Sequence, residues 1–235
     1  CRQCGRDRRR ERTIQIEQDL RCAADKVDGD AVSVNRHGCL DRQRLGVYPI
    51  IIDRIFALID TEDFQRLRNI TQLGYVHLVY PGARHSRFEH SLGVYHLAKQ
   101  FLVRLLGSSP PLELEDEDVR VFIAATLLHD IGHYPFSHIL EELTPFFVLH
   151  EMRARHIIQD ENGSVYRILK ERLEVDPVRV ANVIDYENKD LDIPPRDLLL
   201  ANILSGTLDP DKIDYLLRDS LFCGVPFGES VNRDR

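Results

Sequence analysis

The sequence predicts a mainly α fold, a multi-helix bundle or orthogonal array. Three observations carry that prediction. Apolar residues recur at three- and four-residue spacing behind capping residues and acidic first turns. No series of alternating apolar and polar residues marks a sheet. The 235 residues are 43% hydrophobic, enough to bury a sizeable core within one large domain.

Residues 1–45 stand apart. Residues 6–12 read Arg-Asp-Arg-Arg-Arg-Glu-Arg, expected to form a solvated, charged N-terminal arm, with a phosphate- or partner-binding tail as the alternative. Residues 46–235 are expected to hold the folded domain. The stretch 47–59 is apolar and β-branched (Val47, Ile50, Ile51, Ile52, Ile55) and fits either a short strand or a helix start. Asp60 or Thr61 can cap a helix that carries Phe64, Leu67 and Ile70 at helical spacing. Pro81-Gly82 marks a loop. A helix over 86–106 sets Phe88, Leu92, Tyr95, Leu102 and Leu106 along one stripe, and Gly107-Ser108-Ser109-Pro110-Pro111 ends it. The stretch 116–128 predicts a helix whose acidic start suits the helix dipole and whose Val119, Phe122, Ile123 and Leu127 face inward. Gly132 and Pro135 then break or bend the backbone. Further helices are predicted over 137–143, 149–159, 165–172, 177–188, 196–204 and 211–221.

The formal net charge of −7 argues against broad, non-specific nucleic-acid binding. No apolar run reaches the roughly 18–20 residues of a membrane span, and no secretory signal is visible, so a cytoplasmic location without membrane partners is expected. The five cysteines (Cys1, Cys4, Cys22, Cys39, Cys223) are odd in number and scattered, which predicts free thiols rather than a disulfide framework. Cys1-x-x-Cys4 matches half of a zinc ribbon, but no second such pair follows.

Chemistry concentrates in residues 127–138, Leu-Leu-His-Asp-Ile-Gly-His-Tyr-Pro-Phe-Ser-His. Imidazole nitrogen beside carboxylate oxygen suits a divalent transition metal better than Ca²⁺. A buried Asp beside His with no metal is a costly arrangement. Eight of the ten histidines lie between His77 and His150. His90 sits near the start of one predicted helix, His129 and Asp130 at the end of the next, and Asp211 at the start of the last. Three helix ends can converge on one metal with a His/His/Asp/Asp set, leaving positions for water and a phosphate oxygen. Taken singly, each has a structural reading: a capping histidine, a helix-end pair, an N-terminal acid. Spacing leaves the convergence to the fold.

Together, Arg87-Phe88-Glu89-His90-Ser91-Leu92-Gly93-Val94, His129-Asp130-Ile131-Gly132-His133, Pro135-Phe136-Ser137-His138, Asp209-Pro210-Asp211-Lys212-Ile213-Asp214-Tyr215 and Arg218-Asp219 resemble the HD-domain metal-dependent phosphohydrolases. The resembling branch contains the deoxyguanosine-triphosphate triphosphohydrolases and the sterile-alpha-motif HD-domain dNTPase. Phe64-Gln65-Arg66-Leu67-Arg68 and Gln72-Leu73-Gly74 extend the likeness, which spans about residues 58–223. The resemblance implies an HD-domain helical array and roles at the matching positions. His90, His129, Asp130 and Asp211 would hold a divalent metal (Fe, Mn, Ni, Co, Mg or Zn). His133 would sit by the scissile phosphate, and His150 would be a general-acid candidate beside the leaving group. Arg87, His138 and Lys212 would bind phosphates. Tyr215 and Asp219 would face the sugar, Asp219 near a 3′-hydroxyl, and Gln72 and Leu73 would line the sugar or base pocket.

These roles agree with the chemistry of a polyphosphate, which needs short-range cations, a planar Arg fork and a histidine proton donor. The implied reaction is hydrolysis of a deoxynucleoside triphosphate to deoxynucleoside and triphosphate, by a homo-oligomer. The alternatives are hydrolysis of mono- or cyclic nucleotides, and a nucleotide-sensing module without turnover. Departures are local. Gly46-Val47-Tyr48-Pro49 stands where a member carries an Asp-Pro-x-His-Gly-like stretch, and no effector-nucleotide site is matched. The chain stops at Arg235, where members continue, so a domain lacking the family's C-terminal region is expected. His77, His85, His96 and His156 fall outside the motif and are read as surface or structural.

Overall fold

A computed structural model describes residues 54–108, 112–136, 138–143, 146–207 and 209–230. The charged arm and Cys1, Cys4, Cys22 and Cys39 lie outside the described residues. Residues 54–59 are helical and bury Ile55, Leu58 and Ile59, which settles the helix reading for that part of 47–59. Thr61 caps α1 (Glu62–Gln65) by accepting the Phe64 N–H. The helix then tightens into a 3-10 turn, Arg66–Asn69. It does not reach Ile70 as a helix because Ile70 turns extended and its carbonyl accepts the Arg87 N–H at 2.9 Å. Gln72 N–H likewise donates to the His85 carbonyl at 3.0 Å, so an isolated antiparallel bridge, Thr71 to Ser86, closes the loop that holds a second 3-10 turn, Gly74–Leu78.

Ser86 and Glu89 form a reciprocal capping box at the start of α2 (Arg87–Leu106). Phe88, Tyr95 and Leu102 of the expected stripe are buried, while Leu92 and Leu106 are half-buried. Glu115 and Asp118 form a second capping box on α3 (Asp116–Leu128), whose bounds match the sequence reading. Of its expected inward residues, Phe122, Ile123 and Leu127 are buried and Val119 is half-buried. From Val121 to Leu128 every side chain of α3 is buried. Such a helix lies in the core rather than on a surface. Each of its large apolar side chains contributes roughly 1.5–3 kcal/mol by leaving water.

α4 (His138–Glu141) and α5 (His150–Gln159) follow, then α6 (Ser164–Ile168), which widens into one π turn, Leu169–Leu173. α7 (Pro177–Ile184) begins on an Asp176 cap with proline in its first turn. It was expected to reach residue 188. It ends at Ile184 because Asp185 leaves helical geometry, its carboxylate bound by Arg155 at 2.7 Å and Asn188 at 3.1 Å. α8 (Pro195–Leu204) and α9 (Pro210–Cys223) complete the array; Asp209 caps α9 and Gly224, at φ 68°, ends it in the left-handed region. Cys223 is a free thiol.

Among the described residues there is no strand, and no helix is long and apolar enough to cross a membrane. α3 packs on α2, α7 and α8, α2 packs on α9, and α7 packs on α5. The approach of α2 to α9 is close at Gly93, where a methyl would collide with the Asp214 carboxylate and the Arg218 guanidinium. This packing brings the first turns of α2 and α9 to the end of α3.

Candidate metal centre

The capping boxes start α2 and α3 at defined residues, which sets His90 in the first turn of α2 and His129 with Asp130 just past the end of α3. The Asp209 cap does the same for Asp211 in the first turn of α9. His90, His129 and Asp211 form one metal-compatible group, and Asp130, which groups with His133 and His150, borders it. His90 Nε2 lies 2.9 Å from Asp211 Oδ1 and 3.3 Å from His129 Nε2. His129 Nε2 lies 3.7 Å from Asp211 Oδ1 and 3.6 Å from Asp130 Oδ1, and Asp130 Oδ2 is 3.8 Å from His90 Nε2.

The partners behind these residues define what the donor set fits. His90 Nδ1 faces Asp214 Oδ2 at 2.9 Å, and His129 Nδ1 faces the Thr126 carbonyl at 2.9 Å. Both partners only accept hydrogen bonds, so both Nδ1 atoms carry hydrogen. The two Nε2 lone pairs of the neutral rings then point at each other and at two carboxylates. Only a cation relieves that arrangement, and a divalent transition ion fits two imidazoles and two carboxylates. In the metal-free protein a proton serves instead. Burial opposes the His90 imidazolium, yet hydrogen bonds to Asp211 and Asp214 and the charges of Asp130 and Asp211 outweigh it, raising the pKa to about 9. Burial also opposes the Asp130 carboxylate, but Arg87, His129 and His133 together hold it well below its ordinary range. Asp211 is lowered too, its burial outweighed by the His90 hydrogen bond and the charges of His129 and His90. Asp214 is anchored in turn by Arg218, Nε to Oδ2 at 2.7 Å and Nη2 to Oδ1 at 2.8 Å.

A second group adjoins the first. His133 Nε2 lies 3.2 Å from Asp130 Oδ1. The His133 ring stacks on His150 with centroids 3.8 Å apart. Glu141 Oε1 sits 3.0 Å from His150 Nδ1 and 3.7 Å from His133 Nδ1, and Glu151 Oε1 sits 3.2 Å from His150 Nε2. Two arginines hold the connecting backbone. Arg66 donates to the carbonyls of His133 (2.7 Å) and Ile131 (2.5 Å), and Arg153 donates to those of Gly132 (2.8 Å) and His133 (3.0 Å). Gly132 passes against the start of α5 where a Cβ would strike the His150 carbonyl and the Ala154 nitrogen.

The structure thus brings His90, His129, Asp130, Asp211, His133, His150 and Arg87 together. Arg87 is buried and its Nη1 donates to Asp130 Oδ2 at 2.7 Å. Lys212 is turned elsewhere: its ammonium donates to Asp209 Oδ2 at 2.6 Å and to the Gly206 carbonyl at 2.8 Å. Tyr215 and Asp219 are half-buried one turn apart on α9, and Gln72 and Leu73 are half-buried before the 3-10 turn. His138 begins α4, but its side chain lies outside the described residues. Sequence reasoning gave no role to Glu141, Asp214, Arg218, Arg66 or Arg153, and did not foresee the part-buried pairing of His85 with Asp219 at 2.7 Å. Asp214 was findable, being three residues and one turn beyond Asp211 on the same helix face.

A model of the HD domain matches residues 87–219. The chain is 47% identical over 200 residues to the deoxynucleoside triphosphate triphosphohydrolase SAMHD1 of Bos taurus, covering 73% of this chain and 33% of that protein. It is 39% identical over 176 residues to the uncharacterized protein YwfO of Bacillus subtilis, covering 74% of this chain and 37% of that one. A crystal structure of a hypothetical protein from Aquifex aeolicus superposes with a TM-score of 0.58 at 37% identity, covering 74% of this chain and 43% of that chain. The chain therefore matches less than half the length of each of these proteins.

Proposed function

The chain belongs to the HD domain family, and from that premise we propose that it is a metal-dependent phosphohydrolase that cleaves a deoxynucleoside triphosphate to deoxynucleoside and triphosphate. The observation that carries this reading is the meeting of His90, His129, Asp130 and Asp211 from three helix ends, with both imidazole Nδ1 atoms committed to other acceptors. When bound, a divalent ion supplies Lewis acidity toward a phosphoryl oxygen and lowers the pKa of a water.

The chain's own residues do the rest. Arg87 fixes Asp130 and adds positive charge beside the incoming phosphates. His133, buried and stacked, donates toward the developing phosphate charge. His150 has a carboxylate at each ring nitrogen, Glu141 and Glu151, so either nitrogen can hold a proton for the leaving oxygen. Lys212 reaches a phosphate by exchanging Asp209 for it; His138, one loop beyond His133, is the further phosphate ligand. Tyr215 and Asp219 face the sugar, and Gln72 and Leu73 border it. The likeness to the bovine triphosphohydrolase supports the choice of a triphosphate.

The test is incubation with Mn²⁺, Co²⁺, Ni²⁺ or Mg²⁺ and each deoxynucleotide or ribonucleotide separately, with chromatography of products. Tripolyphosphate release supports the reading. Release of orthophosphate from a mononucleotide, or opening of a cyclic nucleotide to its monophosphate, assigns a different phosphohydrolase. Tight binding without turnover under every ion assigns a nucleotide sensor.

A further inference from the structure

His85 lies where two segments of the proposed sugar pocket meet. Its imidazole is buried, with no side-chain exposure, and its Nε2 contacts Asp219 Oδ1 at 2.7 Å across 134 residues of sequence. Its main-chain carbonyl accepts the Gln72 N–H at 3.0 Å. Its ring also packs on Phe222 of α9, centroids 4.7 Å apart. One residue thus ties the Gln72 segment to α9 through backbone, hydrogen bond and ring contact.

The hydrogen-bond roles follow from chemistry. An ionised carboxylate only accepts, so His85 Nε2 carries the hydrogen and donates it to Asp219. Nδ1 of the neutral ring is then a bare acceptor, and among the described residues it has no hydrogen-bond partner. Only Asp219 Oδ1 is engaged by His85; the Asp219 side chain is 23% exposed. With one oxygen clamped at the wall, the carboxylate is held in a single orientation and its other oxygen remains available to a ligand hydroxyl.

We propose that His85 is a positioning residue that aims Asp219 at the sugar hydroxyl and so sets the preference for a nucleotide bearing a 3′-hydroxyl. The proposal rests on the triphosphohydrolase reading and on Asp219 facing the sugar. A site built to bond a hydroxyl discriminates strongly against the analogue lacking it, because its own polar group is left unmet. Loosening the carboxylate forfeits that discrimination without touching the phosphate end of the substrate.

The experiment compares kcat and KM for a deoxynucleoside triphosphate and its 3′-deoxy analogue, in Mn²⁺, for wild type, His85→Leu, His85→Gln, Asp219→Asn and the double variant His85→Leu with Asp219→Asn. Wild type is expected to prefer the 3′-hydroxyl. His85→Leu should raise KM for the hydroxyl substrate by about tenfold or more, the scale of a charge-assisted hydrogen bond, and leave the analogue nearly unchanged. His85→Gln, which keeps an N–H near the Nε2 position, should recover most of the preference and also reports if the leucine variant does not fold. The double variant should behave as Asp219→Asn alone. Equal loss on both substrates, or an undiminished preference in a folded leucine variant, overturns the proposal while leaving the function standing. A wild type without a 3′-hydroxyl preference overturns the role of Asp219 and this proposal together. A wild type that hydrolyses no deoxynucleoside triphosphate overturns the functional reading, and this proposal falls with it.

Discussion

Asp214→Asn is expected to weaken metal binding by more than its effect on the fold explains. The native carboxylate serves three donors: His90 Nδ1 at 2.9 Å, Arg218 Nε at 2.7 Å and Arg218 Nη2 at 2.8 Å. An amide of the same size offers one oxygen and one NH₂. If its oxygen stays toward His90, the NH₂ faces an Arg218 N–H, donor against donor. If it flips, His90 Nδ1 faces a donor, the ring proton moves to Nε2, and the ligand lone pair is lost. Either way the imidazole is less basic and less firmly aimed. Loss of such an outer partner typically weakens metal affinity about 10–100-fold, or roughly 1.4–2.7 kcal/mol. Asp214 is buried while Arg218 is 21% exposed, so the broken pair should also cost the fold about 1–3 kcal/mol. Competitive titration of Mn²⁺ against a chelator, beside a denaturation curve, separates the two effects. Mn²⁺ affinity within about twofold of wild type in the folded variant would refute the orienting role, since that is far inside the expected loss.

Other consequences are equally measurable. Acid should weaken the α3–α7–α8 junction through Asp118: burial opposes its charge, but hydrogen bonds from Arg196, Arg179 and the Glu115 backbone lower its pKa from 3.8 to about 2. The folded-state value is depressed, so its contribution, about 2 kcal/mol, is complete above the unfolded value and disappears as pH falls toward 2. Urea unfolding of Asp118→Asn should accordingly show a flatter pH dependence over that interval than wild type. Gly132→Ala should cost about 1–3 kcal/mol because the new methyl meets backbone on α5 that cannot step aside; an unchanged denaturation midpoint would contradict the close approach. Stripping metal with a chelator should lower the melting temperature, by mass action worth about 2.7 kcal/mol at a hundredfold excess of ion over Kd. His129→Ala should melt at one temperature with and without Mn²⁺, and a retained shift would remove His129 from the ligand set.

The features legible in the sequence are those written by neighbouring residues. The bounds of α3 match because Glu115, Asp118 and the acidic first turn all lie within one helical turn. The start of α2 follows equally from Ser86 and Glu89 three residues on. Helix ends set by distant partners were not legible: Ile70 leaves its helix to accept from Arg87, and α7 stops where Arg155 takes Asp185. Lys212 shows the same limit at the site. Its place beside Asp211 is sequence, but its ammonium follows the Asp209 cap and the Gly206 carbonyl.

By itself, then, the sequence determined the helical class and the main helices, because helix hydrogen bonds, caps and apolar periodicity act over a few residues, and its motifs offered His90, His129, Asp130 and Asp211 as candidate donors. Tertiary packing alone decided that His90, His129 and Asp211 face one point with Asp130 beside it. It also decided that Asp214 and Thr126 turn the two imidazoles inward, that Arg66 and Arg153 clamp the loop between them and His150, and that His85 closes on Asp219. Those contacts join residues far apart in the chain. Their geometry depends on how whole helices pack, down to the missing side chains at Gly93 and Gly132 that let α9 and α5 come close enough.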